Sequence, residues 1–85
     1  MPAWVSSPVH RAVIGSLIAA RKAAGLTQRD VAAKIGKPPS FVGKIESIER
    51  NLSALELIEW ATAVGVRPGD VLNAVADADA RRTGE

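Results

Sequence analysis

The chain has 85 residues, 47% hydrophobic and 24% charged, which suits one compact core and leaves little room for a second. With no Cys and a single His, it can form neither a disulfide nor a thiolate or histidine-cluster metal site, and no cofactor is expected. Its net charge of +2 divides unevenly: residues 1–45 carry seven basic side chains against Asp30, a balance of +6, while residues 46–85 carry four basic and eight acidic ones, a balance of −4.

Residues 1–7 read as an irregular N-terminal arm, in which Trp4 covers the domain edge, joins a subunit contact or stays loose. Ser7 followed by Pro8 signals a helix start, because Ser accepts from an early amide and Pro has no N–H to waste. Val9, Val13, Leu17, Ala20 and Ala24 then form one helical stripe, flanked by Ile14, Ile18 and Arg21. Gly25 supplies the stop, which gives a helix over 8–24. His10, in its first turn, is expected to be solvated. The most apolar stretch, Ala12 to Ala20, is too short to span a bilayer and lacks a secretory cleavage pattern, so the protein is read as cytoplasmic and nucleoid-associated, without a membrane partner.

Thr27 and Asp30 cap a second helix from Gln28, with Leu26 stapled against Val31. That helix ends at Gly36, before Lys37-Pro38-Pro39, where consecutive prolines cannot donate helical hydrogen bonds. Pro39 suits the first turn of a third helix, near Pro39 to Glu46, whose buried edge is Val42 and Ile45. Ser53 and Glu56 form a capping box, with Leu52 and Leu57 at staple positions, so a fourth helix begins there and ends at Gly65. Arg67-Pro68-Gly69-Asp70 opens a fifth helix bearing Val71, Leu72 and Val75. The expected domain covers 8–76, and 77–85 read as a frayed polar tail. Trp60, beside Leu57 and Ala61, is read as core or dimer packing. Val71, Leu72 and Val75 serve equally as an intramolecular core or as a subunit interface.

Two short helices joined by a tight glycine turn form the angled unit that places a second helix in a DNA major groove. Counted from Gln28, apolar residues fall at the fourth (Val31), eighth (Ile35), fifteenth (Val42) and eighteenth (Ile45) positions. The fifth, Ala32, is small where helices cross closely, and the ninth, Gly36, stands where positive φ is needed. The basic N-terminal half, otherwise readable as a solvated face, gains meaning from this placement.

The segment Leu17 to Val66, in particular "RKAAGLTQRDVAAKIGKPPSFVGKIE" followed by "RNLSALELIEWATAVGV", resembles the Cro/repressor-like, or XRE-like, family. The resemblance implies an all-α, compact five-helix domain with helices two and three as the helix-turn-helix. Such domains commonly bind double-stranded DNA as homodimers and usually repress transcription. Gln28 matches a family residue that bonds a phosphate near a helix N-terminus. Pro39, Ser40, Phe41, Gly43 and Lys44 match outward positions of the reading helix. There Lys44 can reach guanine O6 and N7, Ser40 can donate or accept, Phe41 can press on a thymine methyl, and Gly43 can let the backbone approach. Arg50 and Asn51 match a loop that holds phosphate, and Lys37 can do likewise. Arg21 and Glu46 match a partly buried structural ion pair, with a phosphate clamp as the other role for Arg21.

One departure stands out: Ser47-Ile48 replaces the family's usual Asn-Gly turn. Ile resists positive φ, which lets the third helix run further, with Ile45, Ile48 and Leu52 on one stripe. That would disturb the phosphate roles of Arg50 and Asn51. An enzyme is not expected, because no nucleophile, base and metal constellation is present. The other function class is an antitoxin-like or adaptor module that binds a regulatory protein and for which DNA is secondary.

Overall fold

Four of the five helices end in the same way, although only three of them have glycine at the closing position. The computed structural model describes residues 2–82, with side chains described through residue 80. Five α-helices follow a short 3-10 helix at Ala3–Ser6: α1 (Pro8–Ala23), α2 (Gln28–Lys34), α3 (Phe41–Glu46), α4 (Ala54–Val64) and α5 (Pro68–Arg82). No strand occurs among the described residues.

The starts are those that the caps predict. Ser7 Oγ accepts the His10 amide at 3.1 Å, with Pro8 at the first helical position of α1. In α2 the Thr27 hydroxyl accepts the Asp30 amide at 3.0 Å, and the Asp30 carboxylate accepts the Thr27 amide at 2.8 Å. Ser53 and Glu56 repeat that reciprocal arrangement at α4, at 3.1 and 2.9 Å. Each exchange satisfies two amides that the first helical turn leaves without partners.

The ends use paired hydrogen bonds around one left-handed residue. After α2, Gly36 has φ +70°, its amide bonds Ala33 O at 3.2 Å, and the Lys37 amide bonds Ala32 O at 2.9 Å. Gly25 and Gly65 close α1 and α4 with equivalent pairs. After α3 the same pair forms around Ile48: its amide bonds Ile45 O at 3.1 Å, and the Glu49 amide bonds Lys44 O at 2.8 Å. Ile48 has φ +62° and is the only non-glycine residue with positive φ among those described. The expected extension of α3 past Glu46 therefore does not occur. A β-branched residue in this region costs roughly 1–2 kcal/mol or more, and the Ile48 side chain offsets part of that by packing against the core.

The core lies where α1, α3, α4 and α5 converge, with α2 against α3 and α4. Trp60 is its largest fully buried side chain. Covering an indole of roughly 200 Å² contributes about 5 kcal/mol at 25 cal/mol per Å², so core packing is the role that Trp60 fills. The inward line of α1 is Ile14, Leu17 and Arg21, one position round from the expected stripe, and Val9 is exposed. Val71 and Val75 are buried and belong to the intramolecular core, whereas Leu72 is 46% exposed.

Both chain ends are more ordered than expected. The arm contains the 3-10 helix, and Trp4 meets His10 edge-on with ring centroids 5.2 Å apart. His10 is half-buried rather than solvated; burial first, and the neighbouring Arg11 charge second, push its imidazole below the usual pKa. At the other end, α5 runs to Arg82 instead of fraying after residue 76, with Ala78 and Asp79 still alongside Pro8, Val9 and Ala12 of α1. Residue 1 of the expected arm and residues 83–85 of the expected tail lie outside the described residues.

Candidate nucleic-acid interface

The turn at Gly36 sets α3 across α2, and α3 then divides cleanly between two environments. Val42 and Ile45 are fully buried and Phe41 is 8% exposed, while Ser40 and Lys44 are exposed and Gly43 half-buried. Residues 40, 43, 44 and 47 share one helical face by their three- and four-residue spacing. Pro39 is exposed beside it, in the turn that leads into the helix. The helix itself starts at Phe41, not Pro39: Ser40 is its N-cap without a side-chain bond, and the Phe41 amide reaches Pro38 O at 3.0 Å.

Arg21 and Glu46 meet as expected. Arg21 Nε and Nη2 donate to the two carboxylate oxygens at 2.6 and 3.0 Å, and Nη1 donates to Leu26 O at 2.9 Å. Both side chains are about nine-tenths buried. The Arg21 guanidinium is thus spent on holding α3 to α1 and to the Leu26 carbonyl, which fits the structural role better than the phosphate clamp.

Gln28 borders the outward face of α3. Its Nε2 donates to Glu46 Oε1 at 2.9 Å, extending the ion pair to a third side chain. This contact was not foreseen, since nothing in the sequence links residues 28 and 46 directly. Gly43 lies under the same amide, so the space at position 43 is taken by Gln28, not left for a close backbone approach.

Phe41 requires the clearest correction. It is a core residue, not an outward one, and its ring is a platform for two cations: Lys37 Nζ lies 5.4 Å from the centroid and the Arg50 guanidinium carbon 4.7 Å. Each such contact contributes about 0.5–1 kcal/mol at a surface site. The ring thus gathers basic side chains from the loops on both sides of α3.

Arg50 is further fixed by Glu56, with its Nη1 and Nη2 donating to the two carboxylate oxygens at 2.8 and 2.9 Å. Those hydrogen bonds, helped by the Ser53 amide and hydroxyl and opposed by burial, hold the Glu56 carboxyl down at about 2. The sequence identified Glu56 only as a capping residue; a partner six positions away across a loop leaves no periodic signature. Asn51 is exposed, its Oδ1 accepting the Leu52 amide at 2.8 Å and its carbonyl accepting Arg50 Nη1 at 2.8 Å.

Comparison with known proteins agrees with this geometry. The helix-turn-helix family profile matches residues 17–71. Among solved structures, the chain is similar to an XRE-family like protein from Pseudomonas syringae pv. tomato str. DC3000, with 36% identity and a TM-score of 0.80 over 82% of this chain and 85% of that one. It also shares its fold with the clp gene regulator ClgR from C. glutamicum, at 23% identity and a TM-score of 0.73, covering 86% of this chain and 95% of that one. No curated protein matches. The chain belongs to the XRE-like helix-turn-helix family of DNA-binding transcription regulators.

Proposed function

We propose that this protein is a sequence-specific repressor that acts in the cytoplasm as a homodimer, each subunit inserting α3 into a major groove. Its half-sites would lie about one helical turn apart. The observation that carries the reading is the division of α3: Ser40 and Lys44 exposed, Val42 and Ile45 fully buried beneath them. A helix held from below by its apolar side, with a small hydroxyl and a cation outward, suits base-edge readout.

Lys44 and Ser40 are assigned to base edges and Pro39 to an apolar contact. Gln28, Lys37, Arg50 and Asn51 are assigned to the sugar–phosphate backbone, where a contact fixes register without reading sequence. For Arg50, phosphate would share the guanidinium with Glu56. Phe41 supports from beneath.

The test is a selection of genomic fragments on the purified protein, followed by mobility-shift titration at several salt concentrations. A repressor of this kind yields a recurrent two-fold related sequence bound more tightly than random duplex, with affinity falling steeply as salt rises. Absence of any selective complex would overturn the reading. It would favour a protein-interaction module, for which Leu55 and Ile58, 65% and 50% exposed on α4, are the supporting observation.

A further inference from the structure

Gly43 is an unexpected choice in the middle of a six-residue helix, since glycine is among the poorest helix formers. Backbone freedom does not explain it, because Gly43 is not among the residues with positive φ. What position 43 provides is room. A Cβ there would stand 3.2 Å from Gln28 Oε1, tighter than most Cβ contacts, so that the amide would have to shift by a few tenths of an ångström; its Cδ, at 3.8 Å, would be in ordinary contact.

The orientation of that amide is set from the other side. A carboxylate only accepts hydrogen bonds, so Glu46 Oε1 draws Nε2 of Gln28 toward itself and leaves Oε1 turned to Gly43. Glu46 is in turn immobilised by Arg21. One Gln28 N–H is used in this way; its second is not, and the residue is exposed at the edge of the outward face of α3.

We infer that Gly43 is a positioning residue for DNA binding: its missing side chain reserves the space in which Glu46 locks the Gln28 amide, so that the second N–H is presented to a phosphate oxygen. This rests on the DNA-binding reading above and assigns Gly43 to positioning Gln28 rather than to direct contact with the duplex. A locked donor meets phosphate without first losing rotamer freedom, which a free glutamine side chain would have to do.

The test is a double-mutant cycle on the full chain with a labelled duplex of mixed sequence at low salt. Gly43→Val and Gln28→Ala should each weaken binding roughly fivefold, the worth of one neutral hydrogen bond, without changing the salt slope, since a neutral donor releases no counterion. Together they should weaken it no more than either alone, because both remove the same contact. Multiplicative losses, or no loss from Gly43→Val, would overturn the inference. Gly43→Ala serves if the valine variant folds poorly: alanine favours the helix and intrudes less, so its melting temperature should hold or rise while affinity falls by a smaller factor. The Gln28 side-chain amide resonances report the lock without DNA, and should collapse toward free-glutamine positions in Gly43→Val while the backbone amide resonances stay dispersed as in the folded wild type. If the wild-type protein binds no duplex but these resonances respond as described, the DNA-binding reading fails while the lock stands. If they do not respond, the lock itself is absent.

Discussion

Arg50 lies over the face of Phe41, 4.7 Å from the ring centroid, and in the same pose grips Glu56 with two N–H groups. The loop after α3 is therefore bound to α3 through a ring and to α4 through a carboxylate, although Arg50 itself is 43% exposed in its side chain.

This arrangement has an acid signature. The Glu56 carboxyl is held at about 2 rather than 4.5 in the folded protein. A depressed folded-state value contributes stability that is fully present above the unfolded value and lost as pH falls through the folded one. Urea unfolding at stepped pH should show this contribution intact above about pH 5 and disappearing between about pH 4.5 and 2. Asp30, also held low by its Thr27 hydrogen bonds, adds to the same slope, so the informative quantity is the difference between wild type and Glu56→Gln. Identical acid slopes in the two would show that Glu56 is not held down.

Ile48 yields a reversal of the ordinary ranking of small residues. Both Ile48→Ala and Ile48→Gly remove the side chain, but only glycine occupies φ +62° without strain. Glycine should be the more stable of the two by about 1 kcal/mol, measured by urea denaturation. If alanine proved the better residue, the left-handed turn would not persist in solution.

The Arg21–Glu46 pair is buried on both sides, so removing one partner strands a charge. Glu46→Ala should destabilise by about 3–5 kcal/mol, whereas the double replacement Arg21→Met with Glu46→Leu should recover most of that loss. A single variant with near wild-type melting would show that water enters the site.

On DNA, Lys44 and Lys37 should separate by kind of loss. Lys44→Ala is expected to cost about 1–3 kcal/mol on a selected fragment and to relax preference at one base pair. Lys37→Ala should weaken all duplexes alike and flatten the salt slope by about one unit. Equal Lys44→Ala losses on cognate and random duplex would remove it from base readout.

The helix boundaries were largely legible because they are local: Ser7, Thr27 and Ser53 act on amides three residues away, and Gly36 supplies its own turn. The Arg21–Glu46 contact was legible only through family resemblance, being 25 residues apart. Phe41 was placed outward by the family resemblance alone, whereas helical spacing puts it four residues before Ile45, on the buried side of α3, which is where the structure has it. Ile48 ran against propensity, and the fold prevailed because the paired hydrogen bonds of the turn and the side chain's packing outweigh the local strain. The length of α5 was missed because Asp77 and Asp79 make its last turns look like coil, while Ala78 and Asp79 in fact run alongside α1.

Half of α3 is anchored: Phe41, Val42 and Ile45 are buried in a helix of six residues. A segment this short has no independent stability and no freedom to tilt apart from the body beneath it. On the proposed reading, mismatch between helix and groove must then be absorbed by the nucleic acid. Affinity would follow the ease with which a given sequence bends and widens, even at base pairs that no side chain touches.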